Sequence, residues 1–252
     1  LVMEYLEGET LGQRLRRKPL SIERACDYLI AVASGVVAAH DKGIIHRDLK
    51  PDNIFLAATA TDTVPKILDF GIAKRPDTDV NAMKLSRTGG LLGTPNYLSP
   101  EQAKDQKPAD ARSDQYALGA ILYESVTGHV AHEGPTLYAV LRSIAEASYP
   151  PASRVNPEVP EALEMVIQKA MSLDPERRYP SVKDFGRALL PFISQKRQAI
   201  WAFYFRDNRL DESNFQGALI SKTAASVAAG STKLLPENVR ADLNPLQSAP
   251  LR

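Results

Sequence analysis

The chain has 252 residues, 44% of them hydrophobic, which is enough to bury the core of one large domain or two small ones. Its 31 lysines and arginines are balanced by 30 aspartates and glutamates, which argues against nucleic-acid binding through a basic surface. The single cysteine, Cys26, excludes an internal disulfide framework and fits a reducing, cytoplasmic compartment. No apolar run reaches the ~20 residues that span a bilayer, and no signal-peptide pattern is present, so no membrane span is expected.

The amino-terminal part begins with a strand pattern and then becomes helical. Residues 1–8, LVMEYLEG, form an apolar run that ends in an acidic turn. From about residue 21 to residue 40, apolar side chains recur at helical spacing, which predicts an amphipathic helix that packs Cys26 into the core. Further helices are expected over residues 113–127, 136–146, 160–172 and 181–193.

The segment His46 to Asn53, HRDLKPDN, concentrates polar side chains in eight residues, and DFG follows at residues 69–71. Short apolar runs surround these motifs, as expected for strands that present polar side chains at their loop ends. They predict a small two-hairpin platform. Its expected strands lie at residues 43–45, 54–56 and 64–68.

Four side chains of these motifs fit metal-assisted transfer of a phosphoryl group to a hydroxyl. Asp48 is suited to accept the hydroxyl proton, and Lys50 to offset negative charge on the transferred group. Asn53 and Asp69 offer hard oxygen ligands of the kind that Mg²⁺ prefers. Pro51 fixes its own φ and keeps Lys50 out of the helical region, which stiffens the loop that carries these groups.

Two downstream segments add a structural frame. Residues 93–101 read GTPNYLSPE, a loop with two prolines and three side chains that carry a hydroxyl group. Residues 113–124 begin with a good N-cap and are apolar on nearly every face, so they predict a buried helix that stops at Gly128. Asp114, in the first turn of that helix, would be costly to bury unless it accepted backbone N–H groups.

In this order, HRDLKPDN, DFG and GTPNYLSPE resemble the motifs of a protein kinase, although each triplet alone is a weak signal. Lys50 resembles the serine/threonine branch, and Ser99, where alanine is usual, resembles bacterial members. The resemblance implies a mainly α-helical fold with short β hairpins: the large, C-terminal lobe of a kinase over residues 1–193, with the N-terminal lobe missing. It also implies ATP and Mg²⁺ as cofactors and a signalling function, the phosphorylation of serine and threonine hydroxyls on protein substrates.

The resemblance places a nucleotide site at the amino end of the chain. Met3, Glu4 and Leu6 would then lie in the hinge that grips adenine, and Phe55 would form the floor under the ring. Glu9 is a weaker candidate for contact with the ribose. These contacts are made by backbone or by bulk, so only the resemblance supports them.

The same resemblance implies structural roles around the catalytic loop. Asp114 would hold the backbone of that loop, and Thr94 would tie the docking loop to Asp48 and Lys50. Glu101 would be buried and paired with Arg177; the alternative is a surface pair worth under ~1 kcal/mol. The residues expected to pack or to shape the loop are His46, Arg47, Phe70 and Gly71.

Residues between Asp69 and Glu101 resemble an activation loop. Ser86 and Thr88 lie where related bacterial kinases carry phosphorylated hydroxyls, and phosphate there could pair with Arg47 and order the loop. The alternative is a solvated loop in which these hydroxyls are incidental.

Two segments depart from the pattern of the family. Residues 129–133, HVAHE, stand where Pro-Pro-Phe is common; His129 and His132 lack a third metal ligand nearby, so packing is expected for them. Residues 195–206 combine four aromatic side chains with flanking cations, which predicts either docking on a membrane surface or partner, or a terminal helix that packs on its own domain. We expect an extension over residues 194–220 and a disordered tail over residues 221–252.

Three interpretations of the whole chain remain open on sequence alone. The first is a true kinase of which this chain is a truncated form, with little activity alone because part of the nucleotide site precedes residue 1. The second is a non-catalytic, kinase-like scaffold that binds partners. The third is a small-molecule kinase with similar motifs, which Lys50 and residues 94–101 disfavour.

Overall fold

Helices dominate the part of the chain that the computed structural model describes, which comprises residues 6–59, 62–69, 95–104 and 109–205. The expectations for Met3, Glu4, Phe70, Gly71, Ser86, Thr88, Thr94 and the carboxyl-terminal tail lie outside these residues. The helices in the described part are α1 (Leu11–Leu15), α2 (Ile22–His40), α3 (Pro100–Ala103), α4 (Ala111–Thr127), α5 (Leu137–Glu146), α6 (Ala152–Val155), α7 (Glu161–Ala170), α8 (Val182–Leu189) and α9 (Gln195–Tyr204). Single 3₁₀ turns occur at Pro51–Asn53, Pro95–Tyr97, Pro175–Arg177 and Leu190–Phe192.

Three short strands form one antiparallel sheet in the order β1 (Gly8–Thr10), β2 (Ile54–Ala58) and β3 (Thr63–Ile67). Two of the three predicted strand regions are therefore confirmed. The strand predicted at residues 43–45 is wrong: Gly43 and Ile44 donate their backbone N–H groups back to the end of α2, to the carbonyls of His40 and Ala39. Since those N–H groups close turns, they are not available to a sheet.

Local sequence explains where the main helices begin and end. Ser21 caps α2 by accepting the N–H of Arg24, as its position at the predicted start implied. The start of α4 was predicted two residues too late, because Asp110 accepts the N–H groups of Arg112 and Ser113 and is the true cap. Gly128 ends α4 with a φ of +78°, a left-handed conformation that favours glycine.

The core forms where α2 and α4 cross. Helix α4 packs against α2 on one side and α7 on another, and α2 also packs against α8. Four large side chains of α4 are 0% exposed: Tyr116, Leu118, Ile121 and Leu122. Their burial confirms the prediction of a helix buried on nearly every face. A residue placed on α4 is therefore held rigidly.

Helix α9 packs against its own domain. Phe205, just after the helix, is 1% exposed, and a side chain at Gly186 of α8 would come within 2.7 Å of its ring. Arg187 donates to the carbonyl of Phe205, and Arg197 pairs with the buried Asp27 of α2. Its other face exposes Ile200 and Phe203, so docking of that face on a membrane surface or partner stays a prediction. None of the helices in the described ranges is both long and apolar enough to cross a bilayer.

The packing of α9 can be tested by truncating two aromatic side chains in turn. Phe205→Ala should lower the free energy of unfolding by about 3–5 kcal/mol, because it leaves a cavity against α8. Phe203→Ala, at a position 70% exposed, should change it by less than about 0.5 kcal/mol. Urea unfolding followed by circular dichroism measures both, and equal effects would contradict the described packing.

Candidate active site

The loop between α2 and β2 is held by the buried carboxylate of Asp114. One oxygen, Oδ1, accepts the backbone N–H of Arg47 at 2.9 Å; the other, Oδ2, accepts the N–H of His46 at 2.9 Å and lies 2.8 Å from Nε2 of His40. The side chain of Asp114 is 1% exposed, so these three donors replace the water that a buried carboxylate loses. The loop is thereby fixed to the most buried helix of the domain.

His46 ties the same loop to the end of β3. Its ring is fully buried, and its Nε2 lies 3.1 Å from the carbonyl of Leu68, which can only accept a hydrogen bond. Nε2 therefore carries the proton, and Nδ1 accepts the N–H of Asp48 at 3.4 Å. The geometry gives His46 a packing and orienting position next to Asp48.

Asp48, Lys50 and Asn53 lie together. Nζ of Lys50 is 3.2 Å from Oδ2 of Asp48, and Nδ2 of Asn53 donates to the carbonyl of Asp48 at 2.8 Å. Lys50 has extended backbone, with φ of −156°, and Pro51 starts the 3₁₀ turn that follows, as the proline predicts. Since Nδ2 of Asn53 is engaged with Asp48, its Oδ1 is the amide atom suited to a cation.

The strand pairing brings Asp69 to Asn53. Residue Ile54, which opens β2, pairs with Ile67 at the end of β3, and the N–H of Leu68 donates to the carbonyl of Asn53 at 2.8 Å. Asp69 follows with φ of +47°, a backbone conformation uncommon outside glycine. Asn53 and Asp69 thus flank the same end of the paired strands β2 and β3, and both carry oxygen atoms of the kind that a divalent cation prefers.

No cluster of three or more His, Cys, Asp or Glu side chains suited to a metal ion occurs within the described ranges. A Mg²⁺ ion commonly uses one or two carboxylates and completes its shell with water and substrate phosphates. Asn53 and Asp69 fit that sparse kind of site, and they do not fit a dedicated protein cage.

A second group of residues, which sequence reasoning missed, borders Asp48 and Lys50. Tyr97 and Leu98 line the same pocket as these two residues, and the hydroxyl of Tyr97 donates to Oε2 of Glu124 on α4 at 2.6 Å. Burial raises the pKa of Tyr97. Burial also raises the pKa of Glu124, and the hydrogen bond from Tyr97 offsets only part of that increase. The sequence did contain a signal, since an acidic residue inside an apolar helix needs a buried partner.

Arg47 also lines this pocket. Its Nε is buried and finds no hydrogen-bond partner within the part of the chain that the structure describes. An unsatisfied guanidinium nitrogen is a favourable place for an anion.

Glu101 is buried, as predicted, but its partner is Arg178, and the predicted pairing with Arg177 is wrong. Nη2 and Nη1 of Arg178 donate to the two oxygens of Glu101 at 2.7 and 2.8 Å, and the hydroxyl of Ser113 donates to Oε1 at 2.9 Å. The side chain of Arg178 is 0% exposed, whereas that of Arg177 is 82% exposed and lies 3.8 Å from Asp174. The 3₁₀ turn at Pro175–Arg177 points residue 177 outward and leads residue 178 into the core.

Burial alone would raise the pKa of Glu101, but the hydrogen bonds and charge of Arg178 outweigh it and hold that pKa below its usual value. The carboxylate is therefore ionised in the folded protein at neutral pH. Arg178 also donates to the carbonyls of Ser172 and Arg112, so the pair joins three segments.

The residues predicted to contact a nucleotide are only partly described. Phe55 lies in β2 opposite Thr10 of β1, with its ring near Gly8, and Leu6 lies just before that strand. Glu9, the candidate for the ribose, forms an ion pair with Arg17. Contact of these residues with a nucleotide stays a prediction.

The fold and the loop together define a protein kinase domain, and comparison with known proteins identifies the same class. Residues 1–186 match the sequence model of the family described as protein kinase domain. The chain therefore belongs to the protein kinase family.

Its relatives include bacterial serine/threonine kinases. The chain is 33% identical over 252 residues to the probable serine/threonine-protein kinase PknB of Lactococcus lactis, covering 100% of this chain and 35% of the relative. It is 39% identical over 191 residues to serine/threonine-protein kinase pkn2 of Myxococcus xanthus, covering 75% and 23%. It is 37% identical over 185 residues to serine/threonine-protein kinase PrkC of Bacillus subtilis, covering 73% and 27%. The chain thus spans about a quarter to a third of the length of these curated relatives.

A solved structure shows the same fold. The crystal structure of Rad53 residues 1–466 in complex with AMP-PNP aligns with a TM-score of 0.59 and 24% identity, covering 76% of this chain and 46% of the other. At that identity the likeness concerns the fold alone.

The corrected ion pair gives a matched test. Arg178→Ala should lower the free energy of unfolding by about 3–5 kcal/mol, because it leaves the carboxylate of Glu101 buried without its partner. Arg177→Ala removes the neighbouring arginine at an exposed position and should cost less than about 1 kcal/mol. Chemical denaturation of the two variants distinguishes them, and the reverse order would restore the pairing predicted from sequence.

Proposed function

We propose that this domain transfers the terminal phosphoryl group of ATP to serine or threonine hydroxyls of protein substrates, as part of a longer kinase. The observation that carries the proposal is the contact of Asp48 with Lys50 on a loop that Asp114 holds by three hydrogen bonds. Further support comes from Asn53, which donates to the carbonyl of Asp48, and from the strand pairing that brings the backbone of Leu68, the residue before Asp69, to Asn53. Family membership supports the same reaction.

Each side chain then has one part in the transfer. The carboxylate of Asp48 receives the proton of the acceptor hydroxyl and aims its oxygen. Nζ of Lys50 lies within hydrogen-bond distance of Asp48, so both side chains face the same reacting group. The ammonium of Lys50 offsets the negative charge of the transferred phosphoryl group. Asn53 and Asp69 would hold Mg²⁺, which neutralises phosphate charge when ATP is bound.

The nucleotide would lie against the strands β1 and β2. In this proposal Phe55 contacts the purine from below and Leu6, with Met3 and Glu4, contacts its edge. Apolar contact by a half-buried aromatic ring is suited to a flat base. Protein substrates, and any docking through residues 196–206, belong to the same proposal.

Asp48→Asn should reduce phosphoryl transfer by at least about 100-fold, since the amide cannot accept the proton. The assay follows radiolabelled phosphate from Mg·ATP to a generic basic protein. It should be run on the longest form of the protein that its gene encodes, beside the 252-residue chain.

Asp41→Asn is the matched control, because Asp41 is an exposed carboxylate at the C-cap of α2, seven residues before Asp48. Its rate should stay within about twofold of the unchanged protein. Equal loss in both variants, or no transfer by the unchanged protein, would favour the non-catalytic scaffold.

We also propose that phosphorylation of Ser86 or Thr88 activates the domain through Arg47. Nε of Arg47, beside Asp48, is buried and has no hydrogen-bond partner among the described residues. This supports the proposal, because a phosphate would supply an acceptor and extra charge. Phosphate entering there would order the segment next to the substrate.

The double variant Ser86→Ala/Thr88→Ala should lose about 10-fold or more of the activity of the phosphorylated protein. Thr63→Ala, at a strand position, serves as the control for loss of a hydroxyl elsewhere. Steady-state rates after incubation with ATP measure the effect. Unchanged activity of the double variant would rule out this regulation.

A further inference from the structure

His132 is a fully buried histidine in the segment that departs from the family pattern, and both of its ring nitrogens are engaged. Nε2 lies 2.8 Å from the hydroxyl of Tyr116 on α4, and Nδ1 lies 2.9 Å from Oγ of Ser143 on α5. The ring also meets Tyr149 edge-on, with 5.2 Å between centroids. No charged side chain is among these contacts.

The direction of each hydrogen bond in this series follows from the last acceptor, the carbonyl of Ser148. Oγ of Ser143 lies 2.7 Å from the carbonyl of Ser148, which can only accept, so the proton of Ser143 is used there. Ser143 must then accept from His132, which places a proton on Nδ1. Nε2 is left to accept from the hydroxyl of Tyr116. Burial lowers the pKa of His132 to about 4, so the ring is neutral near pH 7.

This chain of hydrogen bonds connects to the anchor of the docking segment, residues 95–104. The guanidinium of Arg178 lies over the ring of Tyr116, 5.0 Å from its centroid, and grips Glu101 at the start of α3. At the other end, α5 packs against both the turn Pro95–Tyr97 and α3. The docking segment is therefore held by Arg178 on one side and by α5 on the other. His132 connects these two supports, because it bonds to Tyr116 under Arg178 and to Ser143 of α5.

The docking segment is also the wall of the catalytic pocket. Tyr97 and Leu98, both within it, line the pocket that contains Asp48 and Lys50. A shift of α5 away from α4 would move that wall while leaving the catalytic loop on Asp114 unchanged.

We propose that His132 is a positioning residue: by joining Tyr116 to Ser143 in one directed chain of hydrogen bonds, it fixes α5 and thereby the docking segment that receives protein substrate. The role in substrate binding rests on the proposed function, but the positioning does not. Its structural consequences are measurable without catalysis.

The first test is the protonation of the ring. Nitrogen-15 NMR of the 252-residue chain between pH 6 and 8 should show His132 as the neutral form with its proton on Nδ1. A proton on Nε2, or an averaged signal, would overturn the directed chain.

The second test is amide hydrogen exchange of residues 95–104 in His132→Phe and Ser143→Ala. Both variants should speed exchange there by about 5- to 10-fold, the effect of losing one or two hydrogen bonds that hold α5. Ser143→Ala keeps the histidine, so it answers the question if the phenylalanine variant does not fold.

Tyr123→Phe is the matched control. Tyr123 is also a buried tyrosine of α4, and its hydroxyl donates to the carbonyl of Pro150 at 3.0 Å, outside the chain through His132. It should leave exchange of residues 95–104 within about twofold. Equal effects in the control and the two variants would reduce His132 to a general stabilising residue and overturn the proposal.

In an active form of the protein, the same variants should raise the KM for protein substrate about 5-fold with kcat and the KM for ATP nearly unchanged. An unchanged KM for protein substrate would overturn the functional half of the proposal. Absence of transfer by the unchanged protein would count against the proposed function alone, since ring protonation and exchange would still decide the positioning.

Discussion

The carboxylate of Asp114 is the constraint on which the rest of the site depends. It is an ion held in the core of the domain, and three hydrogen-bond donors compensate for its loss of water. Two of those donors are backbone N–H groups, so the carboxylate fixes the path of the loop and not merely one side chain. Asp48 and Lys50 owe their positions to that path, because they follow within four residues.

Helix α4 concentrates several such anchors within its first two turns. Ser113 donates to Glu101, Asp114 holds the catalytic loop, and Tyr116 lies under Arg178. All three side chains are buried, so the partners of each one hold it in a defined orientation. Two segments far apart in the sequence, the loop at residues 46–53 and the docking segment, are thus aligned by the same rigid element.

The sequence correctly predicted which side chains lie together when they belong to one loop. It gave the wrong partner when the two residues of a pair are far apart in the chain. The spacing of Asp48, Lys50 and Asn53 follows from one loop, so the motif alone brought them together. The choice between Arg177 and Arg178 could not be made locally, because two adjacent arginines follow the same proline and only the turn decides which one points inward. The helix start at Asp110 was missed for a related reason: both Asp110 and Ser113 are good caps, and both take part in the reciprocal pair.

The contacts of His132 show what a polar side chain in the core contributes besides burial. An apolar side chain at this position would gain burial energy but would leave the hydroxyl of Tyr116 without an acceptor. A buried polar chain often adds little net stability, and its advantage is that it permits one arrangement only. Where α5 must meet a docking segment at a defined distance, a single arrangement matters more than a deeper minimum. The single arrangement is enforced because each hydrogen bond, from Tyr116 to His132 and from His132 to Ser143, has a fixed donor and a fixed acceptor.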